Sequence, residues 1–130
     1  MRRRRRRVLR KISLDQVPEL ERAQRPDYAL LLDDGEVVVV EETGRPEPRD
    51  INRVAQAALA LKEGTLPLRV SRSPSAITGV VHYRRRDTVF GRHLSSLQKK
   101  FWDKHRILLL GVSCRRELEQ RLRITFGKGK

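Results

Sequence analysis

Aromatic residues make up only 5% of this 130-residue chain, and cysteine occurs once, at Cys114. One cysteine excludes an internal disulfide, and with no Cys or His pairs at short spacing there is no zinc-site signature. Six aromatic rings are too few for a stacking platform of the single-strand-binding type. No apolar run approaches the roughly 20 residues of a membrane span, and no apolar stretch of a signal peptide follows the opening arginines. These absences lead us to expect a soluble, cytoplasmic protein with no membrane partner. The length suits one domain, able to bury roughly two-thirds of its unfolded surface. Internal repeats are not visible.

Positive charge is what the chain has in excess. Thirty Lys plus Arg stand against 16 Asp plus Glu, a formal net charge of +14. That surplus is the footprint of a polyanion binder, with nucleic acid as the expected partner. Its distribution is uneven. Residues 27–50 hold eight of the 16 acids (Asp27, Asp33, Asp34, Glu36, Glu41, Glu42, Glu47 and Asp50) against Arg45 and Arg49 alone. An acidic island in a phosphate-binding protein repels its own ligand unless the carboxylates bind a cation or pair with arginines. Acids that guard a hairpin edge account for Asp33, Asp34 and Glu36, but less well for Asp27 and Glu41.

Along the chain, residues 1–12 carry Arg2, Arg3, Arg4, Arg5, Arg6, Arg7, Arg10 and Lys11 with no acid, which predicts a disordered basic arm. Ser13 or Asp15 then caps an expected short helix with Leu14, Val17 and Leu20 on one face. Tyr28 to Leu32, the turn Asp33-Asp34-Gly35-Glu36 and Val37 to Val40 read as a hairpin. Because the four valines do not alternate with polar residues, their strand should be covered on both faces. A helix over 49–62 follows, with Gly64 past its end. Ile77 to Tyr83 is a third strand, with Arg84, Arg85 and Arg86 behind it. A helix starting at Asp87 or Thr88 buries Phe90, Leu94, Leu97 and Phe101 and turns Arg92, Lys99, Lys100 and Lys104 outward. Ile107 to Val112 is a fourth strand. Ser113 caps a last helix with Leu118 and Leu122 inward, and residues 127–130 form a basic tail.

A hairpin brings Asp27, at the start of its first strand, next to Glu41, at the end of its second. Two carboxylates so placed suit a hard cation such as Mg²⁺, which takes carboxylate oxygens plus waters. His82, His93 and His105 lack a partner motif and read as packed or surface histidines. Cys114 reads as a structural thiol, and nothing in the sequence gives Trp102 a base-stacking role.

In the order Pro26-Asp27, hairpin, Glu41-Glu42-Thr43, helix, the chain resembles the PD-(D/E)xK nuclease superfamily, of restriction-endonuclease-like and Holliday-junction-resolvase-like proteins. The likeness covers about residues 13–112. It implies an α/β domain over 13–126 with a restriction-endonuclease-like three-layer core, in the order α, β-hairpin, α, β, α, β, α. It also implies Mg²⁺ or Mn²⁺ held by Asp27 and Glu41 with the carbonyl of Glu42. Thr43 stands where the family's lysine orients and activates the attacking water. Gln56 resembles a glutamine that some members place beside the site, although Ala60 stands where a Tyr usually follows. Glu19 or Glu21 resembles the first-helix acid of other members.

A threonine cannot replace an ammonium near the scissile phosphate, and losing such a group removes a factor of about 10² to 10⁴ in rate. Arg53, on the polar side of the following helix, or Arg45, two residues beyond Thr43, could take its place, although arginine clamps phosphate rather than accepting protons. The expectation is therefore a nucleic-acid-binding protein of nuclease-like fold, an inactive or impaired relative. The alternatives are an active metal-dependent endonuclease with a migrated basic residue, or a non-catalytic subunit of a nucleic-acid complex. Phosphate contacts are expected from Arg2 to Arg7, Arg84 to Arg86, Lys99 and Lys100, and family members often act as homodimers.

Overall fold

The computed structural model describes residues 5–15, 17, 18, 20, 25–63, 76–84 and 88–126. The expectations for Arg2 to Arg4, Glu19, Glu21, Arg85, Arg86 and the 127–130 tail lie outside the described residues. Among those described, the order is β1 (Arg6–Ser13), β2 (Tyr28–Leu32), β3 (Val37–Thr43), α1 (Pro48–Glu63), β4 (Ile77–Tyr83), α2 (Thr88–His105), β5 (Leu108–Val112), α3 (Arg115–Leu122) and β6 (Ile124–Thr125). The architecture is mixed α/β, with a six-stranded sheet in the order β5-β4-β3-β2-β1-β6.

Strand β3 is the organising element. It pairs antiparallel with β2 (Leu31 opposite Val37, Tyr28 opposite Val40) and parallel with β4 over its full length. The hairpin closes through Gly35, whose φ of 93° is readily reached by glycine, with Leu32 N–H donating to Glu36 O. Because side chains alternate across a strand, the four valines divide between two cores. Val37 and Val39 pack with Ile51 and Val54 of α1 and Phe90 and Leu94 of α2. Val38 and Val40 pack with Leu118 and Leu122 of α3 on the other face. Helix α1 begins at Pro48, and Asp50 accepts a hydrogen bond from Glu47 N–H (2.7 Å), a reciprocal cap of the first turn.

The structure corrects the sequence reading at three places. Residues 6–12 belong to a strand, not to a disordered arm. Strand β1 pairs antiparallel with β2 and parallel with β6, and its Arg6 guanidinium binds Glu36, Asp34 and the Leu122 carbonyl. Pairing with the acidic turn offsets the like-charge repulsion that predicted disorder, while Arg7 and Arg10 stay in water. Second, the expected helix after Ser13 is absent among the described residues. Its apolar spacing of three is met by successive turns, Val17 N–H to Leu14 O and Leu20 N–H to Val17 O, which still bury Leu14 and Leu20. Pro18 removes a donor and clashes with the preceding turn of any helix there. Third, the cap of α3 is Cys114, whose Sγ accepts from Glu117 N–H, whereas Ser113 binds the Glu117 carboxylate. Strand β6 was not foreseen, since two residues leave no periodic signal.

Gly79 on β4 is where α1 approaches most closely: a Cβ there would lie 2.5 Å from Val54 Cγ1 and 2.9 Å from Leu109 Cδ2. Gly44, by contrast, has open space. Gly79→Ala should therefore cost about 1–3 kcal/mol by overpacking and Gly44→Ala should cost little, as read from urea denaturation midpoints. Equal midpoints for the two variants would contradict this packing.

Candidate functional site

The hairpin pairs Tyr28 with Val40, which brings Asp27, one residue before β2 begins, close enough to Glu41 to repel its carboxylate. Asp27 is anchored at both ends: its N–H donates to Val40 O (3.1 Å), and its Oδ2 accepts from Glu42 N–H (2.6 Å). Glu41 is buried. Its Oε2 receives the Arg53 guanidinium from α1, which also reaches Asp50 Oδ1 (3.2 Å). Among the described residues, Glu41 Oε1 is buried without a hydrogen-bond partner. Burial first, then repulsion from Asp27, pushes the Glu41 carboxyl up to about 7, against the attraction of Arg53.

The site thus combines two residues expected from sequence, Asp27 and Glu41, with Arg53, one of the two arginines named as replacement cations. Asp50 was not singled out, although its spacing of three from Arg53 on a helix was a legible signal. Thr43 shares the face of Glu41, but its hydroxyl donates to Arg45 O (3.4 Å), and Arg45 itself is exposed. Gln56 is exposed one turn beyond Arg53 and takes no part in this network.

The residues present fit a Mg²⁺ ion poorly. The unpartnered Glu41 oxygen is the one feature that suits a metal ligand. Against it, the Arg53 guanidinium already supplies positive charge to Glu41 and Asp50. No group of three or more Asp, Glu, His or Cys side chains among the described residues is placed to hold a metal ion.

Glu42, one residue on, points to the opposite face. There its Oε2 accepts from Tyr28 Oη (3.3 Å) and lies 3.5 Å from His82 Nδ1. Burial and the nearby Glu42 carboxylate raise the Tyr28 phenol well above its ordinary value, so it stays protonated as a donor. His93 meets Asn52 (3.2 Å) and His105 packs on Phe101, which gives both ordinary structural roles. Trp102 is exposed beside Arg106.

The remaining acids of residues 27–50 are largely paired within the fold. Glu36 binds Arg6 and Thr78 Oγ1 (2.8 Å), Asp34 binds Arg6 (3.3 Å), and Glu47 binds Arg49 (2.8 Å). Arg6, expected from the sequence to contact phosphate, is turned inward and engaged by Glu36, Asp34 and the Leu122 carbonyl. Arg84 is exposed at the carboxylate end of the sheet, its N–H bonded to Gly44 O (3.2 Å), and Lys99 and Lys100 are exposed on α2. No helix among the described residues is long and apolar enough to cross a membrane. Compared with protein-family models, curated proteins and solved structures, the chain matches none of them.

The raised Glu41 carboxyl has a consequence for stability. Native Glu41 keeps its proton up to about pH 7, whereas its ordinary value is 4.5. The native state therefore binds more protons in that window, and stability falls as pH rises through it. Glu41→Gln, which cannot ionise, should be more stable than the natural protein at pH 8 by about 1–3 kcal/mol. The difference should shrink toward zero near pH 4.5. Urea denaturation across this range checks it, and parallel pH profiles would contradict it.

Proposed function

We propose that this chain is a nucleic-acid-binding domain whose carboxylate centre resembles that of the restriction-endonuclease-like nucleases in layout but works as a neutralised structural node rather than a hydrolytic one. The observation that carries this reading is Arg53 lying across Glu41 and Asp50. A phosphate-binding surface with buried carboxylates needs a cation beside them, and here an α1 side chain provides it. A guanidinium stays protonated at any physiological pH, so it balances charge but does not activate water.

With Thr43 in the lysine position and its hydroxyl engaged by Arg45 O, no ammonium is available there for hydrolysis. Pairing of the acids leaves the basic surplus to act outward, at Arg5, Arg7 and Arg84 and along α2 at Lys99 and Lys100. Such contacts release counterions and hold a backbone without reading its sequence. An active endonuclease is the second reading. It draws support from the unpartnered Glu41 Oε1, a buried oxygen at which an added cation would find a ligand.

The test uses the full chain with labelled single- and double-stranded DNA and RNA, with and without Mg²⁺ or Mn²⁺. Binding should weaken steeply with salt and persist in Asp27→Ala, with no cleavage above background. Removing the Asp27 carboxylate takes a negative charge away from the phosphates, so affinity should hold or rise. Metal-dependent cleavage by the natural protein, abolished in Glu41→Gln, would overturn the binding-only reading and install the second.

A further inference from the structure

On the face of the sheet opposite Glu41, a groove of about 1150 Å³ runs between β1 and α3. Helix α3 spans only Arg115–Leu122, so it covers Val38, Val40 and Leu110 but leaves the Glu42 and His82 end of this face open, above the buried Tyr28. Those three side chains are the floor. Arg7, Arg10 and Lys11 of β1 line one wall, and Arg115 with Phe126 lines the other. Lys11 Nζ lies 4.3 Å from the centre of the Tyr28 ring, and the Arg115 guanidinium 3.8 Å from that of Phe126. Glu42 is the sole carboxylate in the lining, facing four cations.

We propose that this groove seats a stretch of single-stranded nucleic acid, with its backbone along Arg7, Arg10, Lys11 and Arg115 and bases against Phe126 and the Arg115 guanidinium stacked on it. The assignment rests on the nucleic-acid-binding reading and adds where the strand lies. Three features select the occupant. Charge selects a polyanion. Volume admits a polymer, the groove lying at the upper end of the roughly 300–1,000 Å³ of a site for one small molecule. The Phe126–Arg115 wall selects a splayed strand, since a duplex presents its backbone outward and would leave that pair unused, whereas unpaired bases can lie on a ring and on a stacked cation.

The scarcity of aromatics, which argues against a platform of many rings, is compatible with a site that takes most of its affinity from phosphate contacts and uses one ring, Phe126, to admit bases. Glu42 is the exception in the lining. Bound by Tyr28 Oη and facing His82, it is held in the floor as the one repulsive charge.

The experiment measures anisotropy of labelled twelve-nucleotide oligothymidylate and oligouridylate with the full chain, with a duplex of the same length and AMP as competitors. Lys11→Ala/Arg115→Ala should lower affinity for the single strands at least about tenfold and reduce the log–log salt slope by about 1.4, two contacts at roughly 0.7 each. Arg116→Ala/Lys104→Ala, which removes the same charge from exposed positions outside the groove, should change affinity less than about twofold. Glu42→Gln should tighten binding about two- to fivefold by removing the repulsive charge, a gain that misfolding could not produce. Equal losses from the two double variants, no gain from Glu42→Gln, or competition by AMP or duplex as strong as by the strand itself would each overturn the groove assignment. If the natural protein binds none of these oligonucleotides, the functional reading fails. If it binds them and the groove variants bind as well as it does, only the groove assignment fails.

Discussion

Burial of one strand on both faces is the constraint from which the rest of this molecule follows. Val37 to Val40 have no side that water reaches, so helices must lie above and below them. Alternation then continues past the valines without a break. Glu41 is delivered to the α1 face and Glu42 to the α3 face, and two adjacent carboxylates acquire unrelated environments. One is enclosed, repelled by Asp27 and compensated by Arg53. The other stays half in solvent, in a basic groove, held by a phenol. A one-residue slip of β3 would exchange these roles and turn both valine pairs to the wrong cores.

Internal ion pairing explains how a chain of net charge +14 accommodates eight acids in 24 residues. Arg53 answers Glu41 and Asp50 across the α1 face, and Arg6 answers Glu36 and Asp34 at the hairpin. In each case one guanidinium serves two carboxylates, a geometry its forked donors allow and a lysine ammonium meets less well. The Arg6 cluster also explains why the sheet extends to β1. The acidic turn, read as a guard on a hairpin edge, is where the basic segment docks, and the Leu122 carbonyl ties the same arginine to the end of α3.

Much of this was legible from residue order. Apolar periodicity placed β2, β4, β5 and all three observed helices within about two residues, and β3 except for its last three, Glu41 to Thr43. The Asp-Gly turn fixed which strands are neighbours, so the meeting of Asp27 with Glu41 needed no tertiary information. Arg53 was legible as a candidate because it lies on the polar side of a helix that packs beside that hairpin. The failures were of two physical kinds. Local spacing misread residues 13–20, where Pro18 rules out the helix that Leu14, Val17 and Leu20 suggest. Charge reasoning misread residues 6–12, because repulsion within a run says nothing of the acids that a fold brings alongside it. Tyr28 and His82 joined Glu42 only through strand register across three strands of the sheet, which no local window contains.

The sequence alone thus determined β2 to β5, the three helices, the two-sided burial of β3 and the meeting of Asp27 with Glu41, because hydrophobic period and turn chemistry are local properties. Tertiary structure alone decided which cation each carboxylate meets, that Arg6 is turned inward while Arg7 stays in solvent, and that β1 and α3 leave a basic groove between them. Those outcomes depend on pairings between segments as far apart as Arg6 and Leu122. Coulomb energy there is set by distance and burial, and neither exists until the chain has folded.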